Sequence, residues 1–181
     1  HWVDFPAHSN YTGQDIFFPV QLDNLPFKLT FLPDTGDDPK HLREALFSFM
    51  VNVAYLNSSI NAQDTNYSLL IHTSGKKADH SVDYKQIIKI FQALKDENNS
   101  QHQNYLSRIW EIAKERYLHH ENAITKYIIS DCDRNNIVVM NSDKEVNAAD
   151  NRTATDPTNP FTITIGGNIV SRGVTFNNLL S

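Results

Sequence analysis

Three short apolar runs most restrict the folds open to this chain. They occupy residues 67–73, 136–141 and 161–165 and read YSLLIHT, NIVVMN and FTITI. Such runs are typical of buried β-strands, and each of them ends in a polar or glycine-rich turn. Because helical patterns separate the first two runs, the order predicts strand–helix–strand units and a mostly parallel sheet.

Amphipathic helices are predicted before and between these strands. Asp38 is the predicted N-cap of the first helix and Ser81 that of the second. A third helix is predicted over residues 106–117 and a short fourth over residues 121–129, while residues 25–32 alternate like a further strand. The apolar positions at helical spacing in the first helix are Leu42, Ala45, Leu46, Phe49, Met50 and Val53. Helices and buried strands in this order predict the α/β class.

The chain has 181 residues, which is enough for one α/β domain with a small appendage. We predict an N-terminal strand and loop region over residues 1–38 and an α/β domain over residues 39–181. A helical insertion is predicted near residues 100–130, and a long polar loop over residues 142–160. The sequence begins at His1 and ends on the apolar letters LLS, where a strand can begin. We therefore interpret the chain as a piece of a larger protein, with the domain incomplete at its C-terminus.

The composition limits the classes of function. Apolar residues make up 40% of the chain and charged residues 20%, as in globular proteins. A net charge of -5 argues against a strongly basic nucleic-acid module, but a local basic groove depends on where the charges lie. The single cysteine, Cys132, excludes an internal disulfide and a cysteine-based metal site. No apolar run approaches the roughly 18 residues of a membrane span. We expect a cytoplasmic protein that does not contact a membrane.

The third strand runs directly into the most distinctive stretch of the sequence. Gly166 and Gly167 permit a turn with positive φ and let another molecule approach closely. Ser171 and Arg172 then supply a hydroxyl and a guanidinium that suit phosphate oxygens. This stretch predicts a phosphate-contact loop, and the alternative is a plain connection with a solvated Arg172. In an open parallel sheet, ligands bind at the edge formed by the carboxyl ends of the strands.

Other motifs are weaker. Gly75 and Lys76 do not form a nucleotide phosphate loop, because position 70 is leucine and Lys77 stands where a hydroxyl is required. His72 is predicted to lie in the core or in a hydrogen-bonded turn. The aromatic residues of the third helix have helical spacing, so they are predicted to pack in the core rather than to stack on bases; they are Tyr105, Trp110 and Tyr117.

A metal-dependent nuclease requires a cluster of acidic oxygen ligands. Asp79 and Asp83 lie one turn apart on the predicted second helix, which is typical of a hydrated helix surface. Asp143 and Glu145 follow the second strand and are better placed, but the sequence shows no partner set for them.

Two stretches resemble a known family. Residues 69–74, LLIHTS, and residues 165–175, IGGNIVSRGVT, are similar to the Z-one (Z1) domain, an endonuclease-type domain. Its members are long bacterial proteins that join this domain to a superfamily-two helicase ATPase, often in restriction–modification or related DNA-defence systems. The similarity covers most of the chain, and the second stretch is its specific part.

The resemblance implies a fold and a site. The fold is a three-layer α/β sandwich with a mostly parallel sheet, like the second recombinase-like domain of a helicase of the P-loop NTPase type. In such a domain two loops contact the nucleic-acid backbone, and the second of them also contacts the nucleotide. The matching nucleic-acid residues are Thr73, Ser74, Gly166, Gly167, Ser171 and Arg172, and the matching nucleotide residues are Gly173 and Thr175. Many helicases have an aspartate where this chain has Thr175.

The resemblance also implies a function. The chain is expected to be a non-autonomous part of an ATP-dependent DNA helicase or translocase that is associated with a restriction endonuclease system. ATP and Mg²⁺ are the expected cofactors of the full-length protein, and none is expected for this chain alone. The expected partners are DNA, the missing motor domain of the same polypeptide and restriction–modification proteins. The alternatives are a metal-dependent DNA endonuclease domain and a non-catalytic protein-interaction module.

Overall fold

A computed structural model describes residues 40–61, 63–72, 77–140, 155–167 and 175–181, with the backbone alone described at residues 77–79. The chain divides into two compact units, residues 1–36 and 37–181, and all described residues belong to the second. The predicted strand at residues 25–32 therefore lies outside the described residues, and the predicted region 1–38 and domain 39–181 stay predictions.

Four α-helices lie in the described part of the chain: α1 Lys40–Tyr55, α2 Lys77–Lys95, α3 His102–Arg116 and α4 Glu121–Asp131. A single π-helical turn, Leu56–Ile60, extends α1. All four helices were indicated by their apolar spacing. The predicted start of α2 at Ser81 is wrong, because the helix begins at Lys77. His80 is 3% exposed and lies on the same helical face as Ile87, so the buried stripe extends one turn further than the apolar residues indicate.

The apolar face predicted for α1 is partly wrong. Ala45 is exposed, whereas Phe47 and Val51, which lie outside the predicted face, are fully buried. The reason is that α1 contacts α2, α3, α4 and the first strand, so more than one side of the helix is covered. A stripe predicted from one buried face is too narrow for a helix with neighbours on several sides.

Three strands form a parallel sheet: β1 Tyr67–His72, β2 Asn135–Met140 and β3 Phe161–Gly166. The order in the sheet is β1–β3–β2, with β3 parallel to both neighbours. The chain passes from β1 through three helices to β2, which lies two positions away, and returns to the centre with β3. The mixed α/β class with a mostly parallel sheet is confirmed, and an open sheet of this kind is consistent with the predicted sandwich.

The core lies between the four helices and one face of the sheet. The odd-numbered residues of β3, Phe161, Ile163 and Ile165, are fully buried and belong to one cluster with the inward residues of all four helices. The even-numbered residues Thr162 and Thr164 are fully buried as well, on the opposite face. A central strand that is covered on both faces explains why the sequence of β3 carries no charge.

The last residues of the chain extend the sheet beside β1. Leu179 forms a parallel bridge with Ser68. The Ser68 N–H donates to the Asn178 carbonyl over 3.0 Å, and the Leu180 N–H donates to the Ser68 carbonyl over 2.9 Å. The Leu70 N–H donates to the Ser181 carbonyl over 2.8 Å. The final residues therefore bridge to β1 at Leu179 alone, and the prediction that a strand begins there stays a prediction.

Candidate functional site

The carboxyl ends of the three strands meet at one edge of the sheet. His72, Gly166 and Met140 are the last residues of β1, β3 and β2, and the register places Gly166 opposite both of the others. The loops that follow the strands therefore begin side by side. This is the edge at which open parallel sheets bind ligands, and we take it as the candidate site.

His72 is exposed at this edge. The prediction that His72 lies in the core is wrong, because β1 ends at His72 and burial falls along the strand toward that end. The alternative, a hydrogen-bonded turn, involves residues 73–76, which lie outside the described residues, and it stays a prediction. Its imidazole is a polar, planar group directly beside the predicted Thr73 loop. The sequence holds one signal for this placement, the change from apolar to polar residues after Ile71.

Gly166 and Gly167 are buried at the end of the central strand. Gly166 lies in register between His72 and Met140, and it is the one position in that row without a side chain. An alanine there would place a methyl group in a buried space. A glycine therefore suits this buried position, and the close approach of another molecule stays a prediction.

Thr175 is exposed, and Phe176 follows it on the face of the sheet opposite the helices. There Phe176 packs against Met140 together with Leu70 and Val138. The chain that leaves β3 thus crosses that face before it reaches the outer side of β1. Of the eight residues predicted for the site, the structure describes Gly166, Gly167 and Thr175. The other five lie outside the described residues: Thr73, Ser74, Ser171, Arg172 and Gly173.

In the part of the chain that the structure describes, ion pairs occur away from the candidate edge. Arg108 on α3 makes a two-pronged pair with Glu44 on α1, with Nη2 2.7 Å from Oε2, and this bond holds the pKa of Glu44 below its ordinary value. Arg134, before the amino end of β2, donates to Asp131 over 2.9 Å and also to Asp64. Both arginines have a raised pKa because carboxylates accept their hydrogen bonds.

The third pair joins Lys95, at the end of α2, to Asp133 over 2.7 Å, and both side chains are largely exposed. Its hydrogen bond to Asp133 raises the pKa of Lys95. In each pair a carboxylate partly neutralises the cation, so a phosphate has to compete with that carboxylate for it. The predicted contact by Arg172 does not duplicate any of them.

The acidic residues considered for a nuclease form no site in the part of the chain that the structure describes. No group of three His, Cys, Asp or Glu side chains there is arranged to hold a metal ion. Asp143, Glu145 and the Asp79 side chain lie outside that part. Cys132 is buried, and burial raises the pKa of its thiol, so it remains a protonated core residue near neutral pH.

Two of the three aromatic residues predicted to pack in the core, Tyr105 and Tyr117, are partly buried and pack against it. Tyr105 meets the edge of Phe47 with ring centroids 5.3 Å apart, and Tyr117 stacks on Tyr55 at 3.9 Å with nearly parallel rings. Trp110 differs because it is half-exposed and lines a groove of about 320 Å³ between α3 and α4. Its Nε1 donates to Asn122 over 3.4 Å. The prediction of core packing is therefore only partly right for Trp110.

Among the described residues, no helix has the length and the apolar character needed to cross a membrane.

A comparison with protein families matches residues 41–181, more than half of the chain, to the family described as the Z1 domain. A search of the curated proteins and a search of the solved structures find no significant match.

Proposed function

The chain belongs to the Z1 domain family, as its sequence indicated, and from this premise we propose that it is the DNA-contacting part of an ATP-dependent helicase or translocase. In this proposal the chain resembles the second recombinase-like domain of a superfamily-two helicase. It supplies contacts to the DNA backbone and to the nucleotide, while a motor domain elsewhere in the same polypeptide supplies ATP and Mg²⁺ chemistry. We place the protein in the cytoplasm, within a restriction–modification system, where the endonuclease-type name of the family also fits.

The observation that carries the proposal is the shared register of the strand ends. His72 and Gly166 are paired neighbours, so the loop after β1 and the loop after β3 begin on adjacent strands. Neighbouring strands lie about 4.8 Å apart, so the two loops leave the sheet within a short distance of each other. Two loops that start this close together are able to contact consecutive phosphates of one strand.

The residues divide by role at this edge. Arg172 contacts a phosphate through its guanidinium, and Thr73, Ser74 and Ser171 donate hydrogen bonds to the backbone of the DNA strand. Gly166 and Gly167 leave room for that strand, while Gly173 and Thr175 face the nucleotide. We add His72 to the DNA contacts because it is exposed beside the first loop. All of these contacts read the backbone and not the bases, so binding is expected to be independent of DNA sequence.

A titration of this chain with labelled DNA at two salt concentrations tests the proposal. The wild-type chain should bind more weakly at 200 mM than at 50 mM salt, because each phosphate contact releases a counterion. Arg172→Ala should weaken binding about tenfold and reduce the slope of the salt dependence by about 1. His72→Ala should weaken binding by a smaller factor.

Arg134→Ala is the matched control, since it removes the same group from the opposite end of the sheet, where Arg134 is held by carboxylates. It should bind DNA like the wild type. Equal binding by Arg172→Ala and wild type would overturn the site assignment. Cleavage of the DNA by this chain alone, dependent on a divalent metal, would favour the endonuclease alternative. In a polypeptide that joins this chain to its motor domain, Arg172→Ala should also abolish DNA-stimulated ATP hydrolysis.

A further inference from the structure

Ser68 lies at the point where the segment that follows the Arg172 loop returns to the sheet. Its hydroxyl is fully buried and donates to the Asn177 carbonyl over 3.2 Å. Its N–H donates to Asn178, and its carbonyl accepts from Leu180. One residue of β1 therefore bonds to three residues of the returning segment, at positions 177, 178 and 180.

Asn177 is tied to a second segment as well. Its N–H donates to the Thr155 carbonyl over 2.7 Å, and its side-chain Nδ2 donates to Asp156 over 3.3 Å. Asn178 has a φ of +48°, a left-handed conformation that asparagine tolerates well, and its side chain donates to the Asn66 carbonyl over 3.1 Å. The chain thus makes a sharp, fully bonded turn before it pairs with β1.

We propose that Ser68 is a positioning residue for the Arg172 loop, an inference that rests on the proposed function of that loop. The stretch that carries Arg172 begins at the end of β3 and ends at Asn177. At its first end the register of β3 fixes Gly166. At its second end the only buried side chain that bonds to Asn177, among the described residues, is the hydroxyl of Ser68.

The same strand also leads to the other predicted DNA contact. Thr73 and Ser74 follow β1 directly, five and six residues beyond the anchor at Ser68. One strand, β1, therefore begins the first loop and bonds to the residues that follow the second. Ser68 acts through this anchor and not by touching DNA, because it is fully buried.

The variant Ser68→Ala tests this role, because it removes the hydroxyl and little else. The matched control is Thr162→Val, which removes a fully buried hydroxyl from the same face of the sheet. The hydroxyl of Thr162 bonds to the Asn159 carbonyl over 3.0 Å and not to the returning segment. Thermal unfolding of both variants shows whether they lose a similar amount of stability.

Two measurements are compared. In hydrogen–deuterium exchange, Ser68→Ala should speed exchange in peptides covering residues 168–180 more than Thr162→Val does. In DNA titrations, Ser68→Ala should weaken binding roughly threefold to tenfold, the range expected for one lost hydrogen bond, and Thr162→Val should bind like the wild type. When Ser68→Ala is combined with Arg172→Ala, it should cause no additional loss, because the anchor acts through Arg172.

The outcomes separate the two claims. If Arg172→Ala binds DNA like the wild type, the proposed function fails, and the exchange experiment alone decides whether Ser68 positions the segment. If Arg172→Ala weakens binding but Ser68→Ala does not, the inference is wrong while the proposed function stands. Equal losses from Ser68→Ala with and without Arg172 would also overturn the inference, since a general structural effect is independent of Arg172.

Discussion

Truncation of Ile163 to alanine tests whether β3 is the central strand of the sheet. Ile163 is fully buried and lies in register between Leu69 and Ile137, with its side chain in the helix-covered core. The substitution removes three carbon atoms, which corresponds to about 2.4 kcal/mol at roughly 0.8 kcal/mol per buried carbon. The cavity left in a well-packed core adds to this loss, so we expect unfolding to become easier by about 3–4 kcal/mol.

The matched control is Ile129→Ala, which makes the same chemical change on the surface of α4. Ile129 is 47% exposed, and alanine is the better helix former, so the expected cost is below about 1 kcal/mol. Urea denaturation followed by circular dichroism measures both, and the slope of free energy against urea should stay the same. A loss at Ile163 no larger than that at Ile129 would contradict the central position of β3.

Two further predictions concern groups with a perturbed pKa. Glu44→Gln should cost about 0.5–1 kcal/mol at neutral pH, because the pair with Arg108 is partly exposed. Because folding lowers the pKa of Glu44, its contribution to stability is present above the ordinary carboxyl pKa and is lost as the pH falls through the folded pKa. In urea denaturation below pH about 4, the free energies of unfolding of wild type and variant should therefore converge. Tyr127→Phe removes the acceptor of a 3.0 Å bond from Asn57 and should cost about 0.5–1.5 kcal/mol. Burial raises the pKa of Tyr127 to about 12, so an ultraviolet titration of the variant should lack one tyrosine ionisation at high pH. The stability that Tyr127 contributes should fall as the pH rises from about 10 through 12.

The sequence predicted the strands well because the type of the side chains identifies each strand over its whole length. The predicted runs 67–73 and 161–165 differ from the observed strands by one residue at one end, and the run 136–141 differs by one residue at both ends. Their parallel direction was also predicted, since helices separate β1 from β2. The order β1–β3–β2 was not predicted, because pairing depends on backbone hydrogen bonds that any apolar strand can make with another.

The errors at single positions come from residues whose type does not reveal their environment. His80 is buried although histidine is polar, and so the start of α2 was placed four residues late. His72 is exposed although it follows an apolar run. Ala45 is exposed because a methyl group loses little by facing water. In each case the side chain is small or lies near the end of an element, so its burial changes the free energy of folding too little to decide whether it is buried or exposed.

The two ends of the Arg172 loop differ in how clearly the sequence predicts them. The first end was visible, because Gly166 and Gly167 interrupt a run of Thr and Ile, and glycines in such a place require a turn or a close approach. The second end was visible only as the start of an apolar strand, with no indication of its partner. Its pairing with β1 relies on main-chain groups and on the one hydroxyl of Ser68, which is indistinguishable in sequence from any other serine in a strand. The residues that give a loop its chemistry can therefore be recognised in the sequence, whereas the residues that hold its ends can look like any other residue of a strand.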